Sequence, residues 1–231
     1  MWTRVELKTN AKEVLRRTYW MGLGVCLVSG FLGGITSGGS SNYRMINELN
    51  NPVIYLIVFL FAIFGIVYSI FVGSPVLVGK NDYFMSSREY DPSFMKLFSS
   101  FTKGKSAYFN IVKAMFIKDL FLFLWFLLLI VPGIIKSYEY IFVPYILSEN
   151  PNISYSRAIE LSREMTRGYK FDIFVLGLSF LGWQLLGILA CCIGVVFVAP
   201  YVEATYAELY AAHREKALAE GYTDTNELCG Y

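Results

Sequence analysis

The chain has 231 residues, of which 55% are hydrophobic and only 16% are charged, and its formal net charge is +2. An average soluble domain carries about 25% charged residues, so this composition argues against a soluble globular protein. The small net charge gives no indication of nucleic-acid binding, because nucleic-acid-binding domains carry strongly basic surfaces.

Four long runs contain no Asp, Glu, Lys or Arg: residues 18–43, 49–79, 120–135 and 173–202. A membrane-spanning helix needs roughly 20 mostly apolar residues. The runs therefore predict an all-α, polytopic membrane helical bundle that forms a single domain over residues 1–231. We expect about six spans arranged as hairpins, together with amphipathic helices at the membrane interface.

The N-terminal part of the chain predicts a surface helix over residues 3–17 and a first span over 19–35. Arg4, Lys8, Lys12 and Arg16 recur every four residues and so form one basic stripe on a helix. We expect this stripe to lie against anionic lipid headgroups on the cytoplasmic side. Gly30 and Gly34 form a GxxxG pair, which is typical of close helix–helix packing within a membrane.

The second predicted span covers residues 53–77, near Pro75, and is followed by a predicted amphipathic interfacial helix over 91–104. The third span is predicted over 108–131. Its start is open, because an interfacial segment could instead lead into a span that begins near Asp119. Pro132 and Gly133 predict a break, after which a short apolar segment, 134–148, either spans or re-enters the membrane.

The last part of the chain predicts a cytoplasmic amphipathic helix over 154–168, with Asn152 and Ser154 as candidate caps. Spans five and six are predicted over 171–190 and 195–212. The uncharged run there is short for two helices, so a five-span arrangement stays open. With six spans, Lys and Arg concentrate in the segments on one side and only Arg44 lies in a loop on the other. The positive-inside rule then predicts that both termini are cytoplasmic.

Phe-Val followed closely by proline occurs three times, at Pro75, Pro144 and Pro200. The recurrence indicates either a repeated hairpin with a broken second helix or a chance repetition in apolar sequence. Proline removes a backbone donor, so we expect helix breaks at these three residues and at Pro132. Carbonyl groups freed by the breaks would then face a cavity, as in broken-helix transporters.

Residues 124–210 contain the stretches LWFLLLIVPGIIKSYEYIFVPYILSENP, SRAIELSREMTRGYK and VAPYVEATYAELY. They resemble an uncharacterised bacterial integral-membrane family known only as a domain of unknown function. That family is similar to the membrane domain attached to some glycerophosphodiester phosphodiesterases. The resemblance implies a location in the bacterial cytoplasmic (inner) membrane, but it brings no catalytic residues. The phosphodiesterase catalytic domain is not part of this chain.

Ionisable residues at membrane depth are expensive and are candidates for a functional site. The candidates for a polar cavity are Lys118, Asp119, Lys136, Glu139, Glu203 and Glu208. Such a cavity would take an ion, a proton or a small polar solute. The alternative is structural, with the charges at the interface or paired for packing alone.

The sequence contains no nucleophile signature, phosphate loop or metal-ligand spacing, so no enzyme, cofactor or metal is predicted. The four cysteines are expected to pack as small apolar residues rather than to form disulfides. Membrane lipids are the expected partners, and a protein partner or homo-oligomer stays open. We expect a non-enzymatic role in transport or in membrane and lipid homeostasis. The alternatives are an accessory subunit, protection against membrane-active peptides, or an intramembrane lipid enzyme.

Overall fold

The computed structural model describes residues 2–34, 52–189 and 193–228, and within these ranges all regular structure is helical. The predicted all-α class is therefore confirmed. The predicted loop that contains Arg44 lies outside the described residues, as do three of the four cysteines, Cys191, Cys192 and Cys229. The helices are α1 (Arg4–Gly34), α2 (Pro52–Tyr68), a π-helical turn (Ser69–Gly73), α3 (Ser74–Ser86), a 3-10 helix (Phe94–Phe98), α4 (Ser99–Thr102), α5 (Lys105–Leu128), α6 (Ile130–Glu139), α7 (Val143–Glu149), α8 (Tyr155–Thr166), α9 (Lys170–Leu189) and α10 (Ile193–Ala219).

Helix α1 is one continuous element of 31 residues, about 46 Å long, so the division into a surface helix and a span was wrong. Leu7, Ala11 and Leu15 are buried on one face, which packs into the core. Lys8, in the middle of the basic stripe, donates a hydrogen bond to Ser179 and lies over the ring of Phe180 in α9. Part of the stripe therefore faces a neighbouring helix rather than a free surface.

Helices α2 and α3 form one helical path, which does not end at Pro75 as predicted. Pro75 lies in the first turn of α3, where its missing N–H would have no partner within that helix. The π-helical turn just before it accommodates the change, since the Ser74 N–H donates to the Ser69 carbonyl, five residues back. The predicted break is therefore a local widening of a helix that continues to Ser86.

The segment predicted as an amphipathic helix over 91–104 instead forms the 3-10 helix and the short α4. The Ser93 hydroxyl accepts a hydrogen bond from the Met95 N–H at the start of the 3-10 helix. Leu97 is fully buried, and its backbone lies directly on Gly79 of α3. A β-carbon at Gly79 would come within 1.9 Å of the Leu97 carbonyl oxygen. This segment is thus wedged against α3 rather than lying as a separate amphipathic helix.

Helices α5 and α6 form a tight hairpin whose turn is at Leu129, three residues before the predicted break at Pro132. Leu129 is extended, with φ −157° and ψ 140°. Pro132 lies in the first turn of α6, where the helix needs no N–H, and so it causes no break. Helix α5 is continuous from Lys105, which excludes the alternative start near Asp119. The segment predicted as 134–148 comprises α6 and α7, with Pro144 in the first turn of α7.

Helix α8 confirms the predicted amphipathic helix, and the Ser154 side chain caps it by accepting from the Arg157 N–H. Its cytoplasmic location stays a prediction. Helices α9 and α10 replace the predicted spans 171–190 and 195–212, and α10 continues through Pro200 to Ala219. The two helices approach closely at Gly187, where a β-carbon would lie 2.6 Å from the Val195 nitrogen.

Apolar surface is distributed unevenly over the molecule. One end is a packed core, formed mainly by the first half of α1, α3, α7, α8 and the second half of α10. The other end is bare: α2 exposes its apolar side chains all round, as do the last turns of α5 and the first of α6. Within the described residues, two stretches, Tyr55–Ser86 and Ile130–Glu149, are long and apolar enough to cross a membrane.

Candidate functional site

A cavity of about 410 Å³ lies where the packed end meets the bare apolar end. Four structural elements form its wall: the second half of α1, the π-helical turn with the start of α3, the middle of α5, and α10 beside Pro200. The lining residues are Cys26, Ser29, Gly30, Gly33, Ser69, Gly73, Ser74, Leu77, Lys80, Met115, Lys118, Asp119, Ala199 and Glu203. The volume is within the range of small-molecule sites, about 300–1,000 Å³.

The small residues of α1 provide the space for this cavity. Among the described residues, no atom would lie within 4 Å of a β-carbon added at Gly30 or Gly33. Gly30 therefore does not serve close packing against another described helix of the same chain, whereas packing against a second copy stays a prediction. Cys26, expected to be a packing residue, also lines the cavity and is a half-buried free cysteine.

The π-helical turn contributes polar groups to the opposite wall. Ser69, Gly73 and Ser74 line the cavity, and the Ser74 hydroxyl lies 3.4 Å from the Ser69 carbonyl oxygen. Pro75 deprives the Phe71 carbonyl of its usual helical donor, and the Tyr108 hydroxyl of α5 donates to that carbonyl at 2.7 Å. Turns of this kind are frequent at functional sites, and here the turn is held open by a neighbouring helix.

Four charged side chains in the cavity wall form two ion pairs. Lys80 of α3 bonds Glu203 of α10 at 2.6 Å, and Lys118 bonds the adjacent Asp119 of α5 at 2.9 Å. The two lysine side chains are 14% and 13% exposed, whereas the Asp119 side chain is 55% exposed. The cavity therefore opens to the surface at Asp119, and its fixed charges sum to zero.

The comparison with protein families decides where this chain belongs. A family model described as "Protein of unknown function (DUF975)" matches residues 93–217, which is more than half of the chain. The chain belongs to this family. A search of curated proteins found no match, and a search of solved structures found none either. The DUF975 match covers the α5 and α10 walls of the cavity, while the α1 and α3 walls precede it.

Of the six charged residues predicted to line one cavity in this DUF975 protein, three do so: Lys118, Asp119 and Glu203. Glu208 instead bonds Arg88 at 2.8 Å and lines a second, polar cavity of about 380 Å³. Lys136 and Glu139 bond each other, as predicted, but they lie in a separate cluster at the junction of α6, α8 and α9.

Sequence reasoning missed Lys80, the cation that holds Glu203. Lys80 is the first charged residue after the uncharged run 49–79, five residues beyond Pro75. This position could have indicated a role for Lys80, because a charged residue at the end of a long apolar run lies close to the helix break that Pro75 predicts. The polar lining by Ser69 and Ser74 has no comparable signal, since serines are common in membrane helices.

The carbonyl four residues before Pro75 does not face the cavity unpaired, contrary to prediction, and hydroxyl groups of other helices also bond carbonyls near Pro144 and Pro200. Besides the bond from Tyr108 near Pro75, the Tyr19 hydroxyl donates to the Phe197 carbonyl, one turn before Pro200, at 3.1 Å. Before Pro144, the Ser162 hydroxyl donates to the Glu139 carbonyl at 2.6 Å and accepts from the Phe142 N–H. Only the bond from Tyr108 reaches a carbonyl four residues before a proline, whereas the Tyr140 carbonyl, four residues before Pro144, accepts from the Val143 N–H.

The charged C-terminal end is fixed to the packed core outside the proposed spans. Arg157 of α8 bonds Glu227 at 2.8 Å, and this bond lowers the pKa of the Glu227 carboxyl. His213 is buried between aromatic rings and accepts a hydrogen bond from Trp2 Nε1 at 3.0 Å. Burial lowers the pKa of His213 to about 4. Among the described residues, no group of three His, Cys, Asp or Glu side chains is placed to hold a metal ion.

Proposed function

We propose that this DUF975 protein is an integral membrane protein that binds a small dipolar solute in the charged cavity and carries it across the membrane. The observation behind the proposal is a cavity with four charged side chains at the level where bare apolar helix surface begins. Charges at such depth are costly and mark solute pathways by default.

The proposed topology has six spans with both termini on the cytoplasmic side of a bacterial inner membrane. Besides the two stretches that are long and apolar enough, α1, α5 and α9 expose large apolar side chains, among them Phe31, Phe123 and Trp183. In water this surface would be costly, whereas acyl chains would cover it without penalty. The concentration of Lys and Arg in segments on one side supports the orientation.

The charge arrangement favours a solute that carries both signs. Each ion pair offers one ammonium and one carboxylate, and the fixed charges of the wall cancel. A zwitterion can bond a lysine with its carboxylate and Asp119 or Glu203 with its ammonium group, so the occupied cavity stays neutral. A simple anion or cation would leave one unit of charge uncompensated in a poorly hydrated site.

Cysteine labelling tests whether water and solute reach the cavity. In a variant without the native cysteines, Gly30→Cys places a thiol in open space within the cavity wall, whereas Gly182→Cys places one in open space on the exposed apolar face of α9. We expect a charged, water-soluble thiol reagent to modify the thiol at 30 and not the one at 182. Free alanine, which is a zwitterion, should slow the labelling of the thiol at residue 30 more than acetate or methylamine does. Equal labelling at both sites, or no protection by any zwitterion, would refute the proposal.

Transport is tested in proteoliposomes with radiolabelled alanine and glycine as probes. Glu203→Gln removes the anion that holds Lys80 and should abolish uptake. Glu160→Gln, on the exposed face of α8, removes the same charge away from the cavity and should leave uptake unchanged. Uptake that is unaffected by Glu203→Gln would sink the transport hypothesis while leaving binding to be judged by the labelling.

A second candidate function is that of an accessory subunit, and helix α2 favours it. Its large apolar side chains are exposed on every side of the helix, including Phe59, Phe61 and Phe64. Such a helix offers a complete surface to a partner helix. A photo-crosslinking amino acid at Phe61 should then trap a protein partner in membranes. Adducts with lipid alone, from a chain that purifies as a clean monomer, would exclude this candidate.

A further inference from the structure

A second group of charged side chains, at the junction of α6, α8 and α9, carries a net positive charge. Lys136 bonds the Glu139 carboxylate at 2.6 Å, and Arg163 lies 3.6 Å from the same carboxylate. Lys170, the first residue of α9, bonds its other oxygen. Three cations from three helices thus converge on one anion, and the cluster keeps an excess of two positive charges.

The nearby acidic residues of α8 do not cancel this excess. Glu160 and Glu164 lie 3.3 and 3.5 Å from Arg157 and form ion pairs with it. Glu139 is buried, with its side chain 8% exposed, whereas the side chains of Lys170 and Arg163 are 35% and 57% exposed. The carboxylate therefore holds the cations together from within, and no other hydrogen bond from their outer donors is found within the part of the chain that the structure describes.

The cluster lies at the boundary between bare apolar surface and a polar helix. Ile134 and Ile135 precede Lys136 and are exposed, as are Phe171 and Phe174, which follow Lys170 within about one turn. Helix α8, which carries Arg163, turns its apolar side chains into the core and its charged ones outward. A ligand held by the three cations would accordingly have acyl-compatible surface on one side and polar surface on the other.

We propose that Lys136, Arg163 and Lys170 bind the phosphate of an anionic phospholipid, with its acyl chains on the apolar side chains of α6 and α9. A phosphodiester accepts charge-assisted hydrogen bonds from all three cations and supplies the missing negative charge. Lys136 also lies over the Trp125 ring at 5.2 Å, which fixes its position at this boundary. In the lipid-free protein Glu139 offsets one of the three positive charges and therefore competes with the phosphate for the cations.

Competition between two lipids tests the proposal. The full chain in detergent is mixed with equal amounts of phosphatidylglycerol and phosphatidylcholine, and the bound lipid is counted by native mass spectrometry. An excess of two cations predicts roughly a tenfold or greater preference for phosphatidylglycerol. The triple variant K136Q/R163Q/K170Q should lose most of this preference. The control R4Q/K105Q/K113Q, which removes the same charge from exposed positions outside the cluster, should keep it.

Two further experiments test the charge of the site and distinguish a lipid site from a site for free phosphate. Glu139→Gln keeps all three cations and removes their internal anion, so the preference should be retained or increased. If the preference instead falls with Glu139→Gln, or survives in the triple variant, the proposal is overturned. Inorganic phosphate lacks acyl chains and should not displace the lipid at equal concentration; complete displacement would show a free-phosphate site instead. Since Glu139→Gln leaves every cation in place, it decides the question even if the triple variant fails to fold.

Discussion

The bond between Tyr108 and Phe71 can be tested together with the proline that makes it necessary. Tyr108→Phe removes the hydroxyl that donates to the Phe71 carbonyl at 2.7 Å. Proline at residue 75 removes the N–H that would donate to that carbonyl in a regular α-helix. Pro75→Ala restores an N–H four residues later, so the carbonyl no longer needs the tyrosine. The two substitutions therefore form a double-mutant cycle with a defined expected sign.

The magnitude depends on what surrounds the π-helical turn. The side chain of Phe71 is 41% exposed in the isolated chain. If water reached this site, it would replace the tyrosine and the loss would be near zero. In hydrocarbon no replacement exists, and hydrogen bonds between membrane helices contribute about 0.6 kcal/mol on average and up to about 1.7 kcal/mol. We therefore expect Tyr108→Phe to lower the free energy of unfolding by about 1 kcal/mol, and by almost nothing when residue 75 is alanine.

Steric trapping in bicelles gives the required free energies of unfolding. Tyr68→Phe, which removes a hydroxyl at the end of α2, is a matched control and should have little effect. Equal losses for Tyr108→Phe in the proline and alanine backgrounds would show that the hydroxyl does not serve the proline-freed carbonyl. No loss in either background would show that water reaches the turn, which would refute its placement within the apolar layer.

Three further predictions concern packing and charge. Gly79→Ala should destabilise the fold by about 3 kcal/mol or more in thermal unfolding, because its β-carbon would overlap the Leu97 backbone, whereas Gly182→Ala meets nothing and should be neutral; a neutral Gly79→Ala would contradict the close contact. His213, with a pKa near 4 in the fold and 6.5 when unfolded, should contribute stability that is complete above pH 6.5 and falls by about 3 kcal/mol as the pH drops towards 4. His213→Gln should make the free energy of unfolding less dependent on pH between 4 and 6.5. An unchanged pH dependence would exclude His213 as its cause. Arg157→Gln should increase amide hydrogen exchange in residues 222–228, because it releases Glu227 and the Tyr222 carbonyl, while Arg163→Gln should not.

The extent of α8 was predictable because its end signals are local. Ser154 caps the helix and the apolar residues recur with helical spacing, so the sequence determines both its start and its buried face. The extent of α1 was not, because a basic stripe of period four does not specify what it faces. Lys8 donates a hydrogen bond to Ser179, which lies 171 residues further along the chain.

The cavity was only half predictable for the same physical reason. Asp119 and Glu203 are conspicuous as charges in apolar sequence, but Lys136 and Glu139 have the same appearance and lie elsewhere. The role of Gly30 as a lining residue was not predictable, because a small residue serves both close helix contact and open space. Only the arrangement of the neighbouring helices decides between them, and a pattern within one helix does not contain it.

The hydroxyl bonds at the helix breaks have a consequence for how the chain assembles. In the proposed membrane, the segment 52–86 enters with the Phe71 carbonyl unpaired, since Tyr108 is synthesised later. Ser162, which bonds the Glu139 carbonyl, is likewise synthesised later, whereas Tyr19, which bonds the Phe197 carbonyl, is synthesised earlier. The bond from Tyr108 contributes about 1 kcal/mol, so α2 and α3 reach their final energy only once α5 docks beside them. The order of synthesis thus makes α5 the element that closes the first part of the bundle.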